Sequence, residues 1–148
     1  MLFSQFLKLK LKSEFKLNEM FESDDGYKTV QSESNNTITF HIETNEARDY
    51  KCVFVKNGND YTCELMYDNN DEIKDDFYNT NKLISTLVGI FTGFYLSYTC
   101  DTITYKMQPN IDKSVYLLII SIFKNELKTY YVIVDSSPER IIVRDNRN

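Results

Sequence analysis

The sequence predicts an α+β fold in which a mostly antiparallel sheet of about six to seven strands carries one central helix, residues 71–92, and an N-terminal helix or arm. Three observations lead to this prediction. Apolar and polar residues alternate with period two before residue 68, apolar residues then recur at helical spacing, and β-rich segments follow from residue 94. The chain of 148 residues has the length of a single domain, 1–148.

The N-terminal region gives two conflicting signals. Leu2, Phe3 and Phe6 cluster on one helical face, whereas residues 7–12 alternate leucine and lysine with the period of a strand. We interpret residues 1–21 as a helix or arm. Residues 22–36 are polar and rich in turn-forming types, and they predict a loop.

The clearest strand signal is Thr37–Glu43, where Ile38, Phe40 and Ile42 point to one face. Two further strands, Tyr50–Lys56 and Tyr61–Tyr67, flank Asn57-Gly58, a strong hairpin signal. With Asn57 and Gly58 at the centre of the turn, the facing pairs are Phe54 with Tyr61 and Cys52 with Cys63. A longer turn changes these pairs but keeps the same residues on one face: Tyr50, Cys52, Phe54, Tyr61, Cys63 and Leu65.

The segment after this hairpin predicts the central helix. Asn69 as N-cap would place Glu72 at the third helical position, as in a capping box. Apolar residues then continue at helical spacing to about Thr92. Gly89 and Gly93 predict close approach of the helix to the sheet, and the alternative is that Gly93 ends the helix in the αL conformation.

The C-terminal half predicts four strands, at 94–106, 114–123, 128–135 and 140–144. Val115–Phe123 is apolar on both faces, which is typical of a central strand that is covered on both sides. One helix covers one side, so the N-terminal segment or a second copy of the chain is needed for the other. The resulting interface candidates are Tyr116, Leu118, Ile120, Ile122 and Tyr131.

Composition argues against several classes of function. The net charge of -5 argues against binding to a nucleic-acid backbone. His41 is the only histidine, and the spacing of Cys52, Cys63 and Cys100 does not match a zinc finger. No phosphate-binding glycine motif is present, so no cofactor is predicted. We interpret the thiols as buried and structural, in a reducing and therefore cytoplasmic setting.

Residue usage is skewed toward types with AT-rich codons, with Ala47 as the only alanine. This skew predicts a viral, phage or low-GC microbial gene, and the host cytoplasm as the location of a viral product. The chain has 11 tyrosines and 10 phenylalanines but no tryptophan. A tyrosine excess predicts either a protein interface or tyrosines along the solvent face of the sheet.

One cluster of carboxylates is a weak metal-site candidate: Asp68, Asp71 and Glu72, with Asp75 nearby. The cluster does not match an EF-hand, because Ile73 occupies the position that requires glycine. A solvated start of the helix is the simpler interpretation.

We therefore expect a non-enzymatic protein-interaction module: an adaptor, inhibitor, assembly factor or virion component, with a protein partner or a homodimer. The alternative is a carboxylate-dependent metal-binding enzyme, such as a small nuclease or hydrolase. Attachment to a membrane through residues 1–16 is a minor alternative. Residues 83–100 carry no charge, and we interpret them as core rather than as a membrane span.

Overall fold

The computed structural model describes residues 26–46, 48–71, 73, 77, 79–106, 113–137 and 139–147. Four strands come first: β1 (Lys28–Ser34), β2 (Thr37–Glu43), β3 (Tyr50–Asn57) and β4 (Asp60–Tyr67). Helix α1 (Thr80–Ser97), strand β5 (Thr102–Lys106) and helix α2 (Lys113–Ser121) follow, and α2 continues into a π-helical turn (Ile122–Glu126). Strands β6 (Tyr131–Ser137) and β7 (Arg140–Asp145) complete the order. The α+β class is confirmed, while the proposed arm, 1–21, lies outside the described residues.

The seven strands form one sheet in the order β1-β2-β3-β4-β5-β7-β6. Among the described strands, only the β4–β5 pair is parallel, and α1 makes the crossover that a parallel connection requires. All other pairs are antiparallel. Strands β1 and β6 are therefore the two edges of the described sheet, and they lie at opposite ends.

Aromatic rings fill the space between the helices and one face of the sheet. Phe54 of β3 stacks on Phe94 of α1 with ring centroids 4.2 Å apart, and its edge meets Phe91 at 5.6 Å. Phe91 in turn contacts Phe123 of the π-helical turn at 4.9 Å. Burial of each such ring contributes roughly 1.5–3 kcal/mol. The described tyrosines are buried in this core or half-buried against it, so the expectation that they line the open face of the sheet is wrong.

Helix α1 begins later than predicted. Its N-cap is Asn79, whose side-chain oxygen accepts a hydrogen bond from the Lys82 N–H at 3.1 Å. Asn69 instead accepts from the Asp71 N–H in the turn after β4, because its side chain closes that turn locally. The helix also runs past Gly93 to Ser97, so the alternative in which Gly93 ends it is wrong.

The predicted strand 114–123 is a helix. Leu118, Ile119, Ile122 and Phe123 are buried, whereas Leu117 is 61% exposed. This spacing of buried positions fits a helix with one side on the core. A continuous apolar run does not by itself distinguish a buried helix from a central strand. The prediction of a strand is therefore wrong, and the segment forms a helix.

Two further boundaries also differ from the prediction. Residues 94–106 form a strand only from Thr102 onward, because α1 occupies the first part of that range. The predicted loop 22–36 contains β1, in which Thr29 is the one buried residue. An edge strand with nearly all its side chains exposed lacks the alternation by which strands are recognised.

The β3–β4 turn explains why the observed cross-strand pairs of this hairpin differ from the predicted pairs. Gly58 has a φ of +68° at the first central position of the turn, as a type II′ turn requires. Phe54 therefore faces Cys63 and Cys52 faces Leu65, so the predicted pairs are wrong by two residues along β4. The shift is an even number, so the predicted set of inward-facing residues is confirmed.

Candidate functional site

One face of the sheet carries the helices, and the other is open in the described part of the chain. Every described strand residue that points to the open face is exposed or half-exposed. On β2 and β3 these residues include Thr39, His41, Lys51 and Val55, and none of them belongs to the buried core. This open face and the two edge strands therefore carry the exposed side chains that could form a site.

A polar cluster lies on the open face near the β1 edge. Ser32 of β1 faces Thr39 of β2, which places it diagonal to His41. The Ser32 Oγ lies 3.3 Å from His41 Nε2, and His41 Nδ1 lies 3.0 Å from Asp68 Oδ1. The three side chains therefore form a continuous Ser–His–Asp chain of hydrogen bonds.

The turn after β4 places Asp68 beside His41. The Asp68 N–H donates to the Asp49 carbonyl at 3.0 Å, which ties the end of β4 to the start of β3. Asn70 adopts a φ of +76°, a conformation that asparagine tolerates better than most residues. Its side chain accepts a hydrogen bond from Lys51, the β3 residue that faces His41.

The carboxylates considered as metal ligands are already paired. Asp68 bonds to His41, and Asp71 Oδ2 lies 3.3 Å from Arg48 and accepts from Asn69. Glu72 and Asp75 lie outside the described residues. Across the residues that the structure describes, no group of three potential ligands surrounds a common point.

The interface candidates mostly lie inside the molecule. Leu118, Ile122 and Tyr131 are buried, whereas Tyr116 and Ile120 are half-exposed. The Tyr131 hydroxyl donates to the Phe91 carbonyl at 2.9 Å, and burial raises its pKa well above the ordinary range. Only Tyr116 and Ile120 of this set therefore contribute to the surface.

Strand β6 presents an apolar edge that the sequence analysis did not recognise. Val132 is 40% exposed and Val134 is 58% exposed. The register shifts between Ile133 and Asp135, so Val134 is the extra residue of a β-bulge. The sequence does predict a strand at this position, but the pattern along a strand carries no information about whether it lies at an edge.

The thiols lie on the opposite face of the sheet from His41. Cys52 Sγ and Cys63 Sγ are 3.4 Å apart, buried and unoxidised. Burial, together with the hydrogen bond to Cys52, raises the pKa of the Cys63 thiol well above its ordinary value. Because both thiols are buried on the face away from His41, neither is placed to act as a nucleophile with it.

Comparison of the chain with protein-family models, with curated proteins and with solved structures gives no match. In the described ranges, none of the helices is long and apolar enough to cross a membrane. The uncharged segment 83–100 forms most of α1, and its buried side chains pack in the core.

Proposed function

We propose that this chain is a protein-interaction module that binds its partner by strand addition at β6. The observation that carries the proposal is the exposure of Val132 and Val134 on an edge strand of the sheet. The first partner to test is a second copy of the chain, which would pair β6 with β6 in a homodimer.

Strand addition requires unpaired backbone groups. In the described part of the chain, β6 pairs with β7 alone, so the amides and carbonyls on its outer side lack a strand partner. An added strand would bond to these groups, and alternate side chains of the partner would pack beside the valines. The bulge at Val134 limits regular pairing to the stretch Tyr131–Ile133, in which the Tyr131 N–H already donates to the Leu127 carbonyl at 3.0 Å. An added strand would therefore bond to the other outer groups of this short stretch.

The two edge strands, β1 and β6, differ in how well their side chains protect them from pairing with another strand. Strand β1 is polar along most of its length, and Lys28 lies 3.9 Å from Glu43 in an exposed ion pair. Strand β6 contains neither lysine nor proline, and its protective features, the bulge at Val134 and the charge of Asp135, lie in its second half. The first half, which includes Val132, is unprotected. This contrast favours β6 over β1 as the binding edge.

Light scattering at micromolar concentration tests the self-association. We expect a dimer for the wild-type chain and a monomer for Val134→Lys, because a charge on the bulge opposes close approach of a second strand. Val30→Lys, an exposed valine on the opposite edge, is the matched control and should remain dimeric. A strictly monomeric wild-type chain would refute the homodimer.

The alternative is a carboxylate-dependent enzyme that uses Asp68, Asp71 and Glu72 to bind Mg²⁺ or Mn²⁺. The pairing of Asp68 with His41 and of Asp71 with Arg48 favours the interaction module. A thermal melt with each metal discriminates the two, because a ligand at about 100 times its Kd stabilises a protein by about 2.7 kcal/mol. A melting temperature that does not change with metal would exclude the alternative.

A further inference from the structure

Ser32, His41 and Asp68 are connected in the order that nucleophilic catalysis by serine needs. A carboxylate on His41 Nδ1, 3.0 Å away, favours the tautomer that keeps the proton on Nδ1. Nε2 is then free to accept the proton of the Ser32 hydroxyl, whose oxygen lies 3.3 Å away. Such distances are often looser before a substrate binds than during the reaction.

The nucleophile is accessible, and backbone donors lie in the same strand. Ser32 is exposed on the open face, while His41 is half-exposed. In the described sheet β1 pairs with β2 alone, so the N–H groups on its outer side have no strand partner. Backbone N–H groups of this kind are the donors that stabilise an oxyanion.

We propose that Ser32, His41 and Asp68 form an acyl-transfer site for small carboxylic esters, separate from the binding edge at β6. Ser32 Oγ attacks the carbonyl carbon while His41 Nε2 takes the hydroxyl proton. The bond from that carbon to the alcohol oxygen then breaks, and the alcohol leaves with the proton. Water hydrolyses the acyl-serine by the same route, releasing the carboxylic acid and restoring Ser32. Asp68 is a positioning residue, because it acts through the imidazole.

The surroundings of Ser32 favour a short acyl group. Val30 lies two positions along β1 on the same face and is paired with His41 in the register, so it offers a small apolar contact beside the nucleophile. An acetyl group has the size to lie against one valine. We therefore choose p-nitrophenyl acetate as the ester probe and an alkyl fluorophosphonate as the probe of the nucleophile.

Mass spectrometry of the full chain after fluorophosphonate treatment is the direct test. We expect one phosphonyl group on Ser32, with loss of fluoride. Ser34 lies two residues further along the same face of β1 and should remain unmodified. Modification elsewhere, or at Ser32 and Ser34 alike, would overturn the proposal, because a surface hydroxyl without a base has no reason to react selectively.

Release of p-nitrophenol from the ester supplies the second test. General-base catalysis contributes about 10²–10⁴-fold, so Ser32→Ala and His41→Gln should each slow release by about 100-fold or more. Ser34→Ala is the control and should leave the rate unchanged. A Ser32→Ala variant that keeps the wild-type rate would show that the imidazole reacts alone, and it would overturn the proposal.

Variants of Asp68 test the positioning role. Asp68→Asn should slow phosphonylation, and Asp68→Glu, which keeps the carboxylate, should retain a larger part of the rate. A phosphonylation rate that is unchanged in Asp68→Asn would refute the positioning role, and losses that follow a lowered melting temperature in both variants would assign Asp68 to the structure of the turn alone. All these residues are exposed or half-exposed, so the wild-type fold is expected in each variant.

Discussion

Thr86 is a buried polar residue in the middle of α1, and its replacement by valine gives the sharpest test of the packing. Its hydroxyl accepts a hydrogen bond from the Tyr27 N–H at 2.7 Å and donates to the Lys82 carbonyl at 2.8 Å. The side chain is 1% exposed, so water cannot replace either bond. Gly26 is fitted to the same contact, since a β-carbon there would lie 3.1 Å from the Thr86 hydroxyl.

The expected effect of Thr86→Val follows from these distances. Valine has nearly the shape of threonine but offers no acceptor, so the Tyr27 N–H loses the hydroxyl to which it donates. Leaving one buried donor without an acceptor costs about 1–3 kcal/mol. A methyl group 2.7 Å from the Tyr27 nitrogen would also be too close, which adds to the cost.

Urea denaturation provides the measurement, with the change in the unfolding free energy read at constant m-value. Thr92→Val makes the same chemical change at a half-buried position of α1 and should shift stability by less than about 0.5 kcal/mol. Hydrogen exchange should also show lost protection of the Tyr27 amide. If Thr86→Val is as stable as the wild type and keeps that protection, the hydrogen bond does not anchor the start of β1 to the helix.

Three further predictions concern α1 and its C-terminal end. Gly89 is buried, so Gly89→Ala should destabilise the chain by about 1–3 kcal/mol through overpacking, and a more stable variant would contradict close packing there. Burial raises the pKa of Tyr98 to about 12 and that of Cys100 to about 11, from ordinary values of 10.0 and 9.0. The protonated forms of these two groups therefore contribute fully to the free energy of unfolding below pH 9, and this contribution is lost as the pH rises toward 12. A urea midpoint that does not change between pH 9 and pH 12 would refute the prediction. Burial opposes ionisation of Asp145, but the hydrogen bonds and charge of Arg147 hold its pKa below the ordinary 3.8. Arg147→Met should therefore lower the free energy of unfolding by about 1–3 kcal/mol at neutral pH, and by less as the pH falls below 4. A loss of stability that is independent of pH would contradict the pairing of Arg147 with Asp145.

The sequence by itself determined the features that depend on neighbours along the chain. Strand β2 has the bounds predicted from its alternation, Thr37–Glu43. The inward face of the β3–β4 hairpin is also as predicted, because period-two alternation assigns faces without knowledge of the register. Even the placement of His41 on the face opposite the thiols follows from this local pattern.

Tertiary structure decided everything that depends on contacts distant in sequence. Residues 114–123 are apolar enough for a central strand or a buried helix, and packing of Leu118 and Phe123 against the core selects the helix. Strand β1 is too polar to be recognised alone, and it forms through its pairing with β2. Ser32, His41 and Asp68 are separated by 9 and 27 residues, so only the sheet brings them together. The same holds for β6, because its edge position follows from strand order, which long-range contacts determine and local periodicity does not.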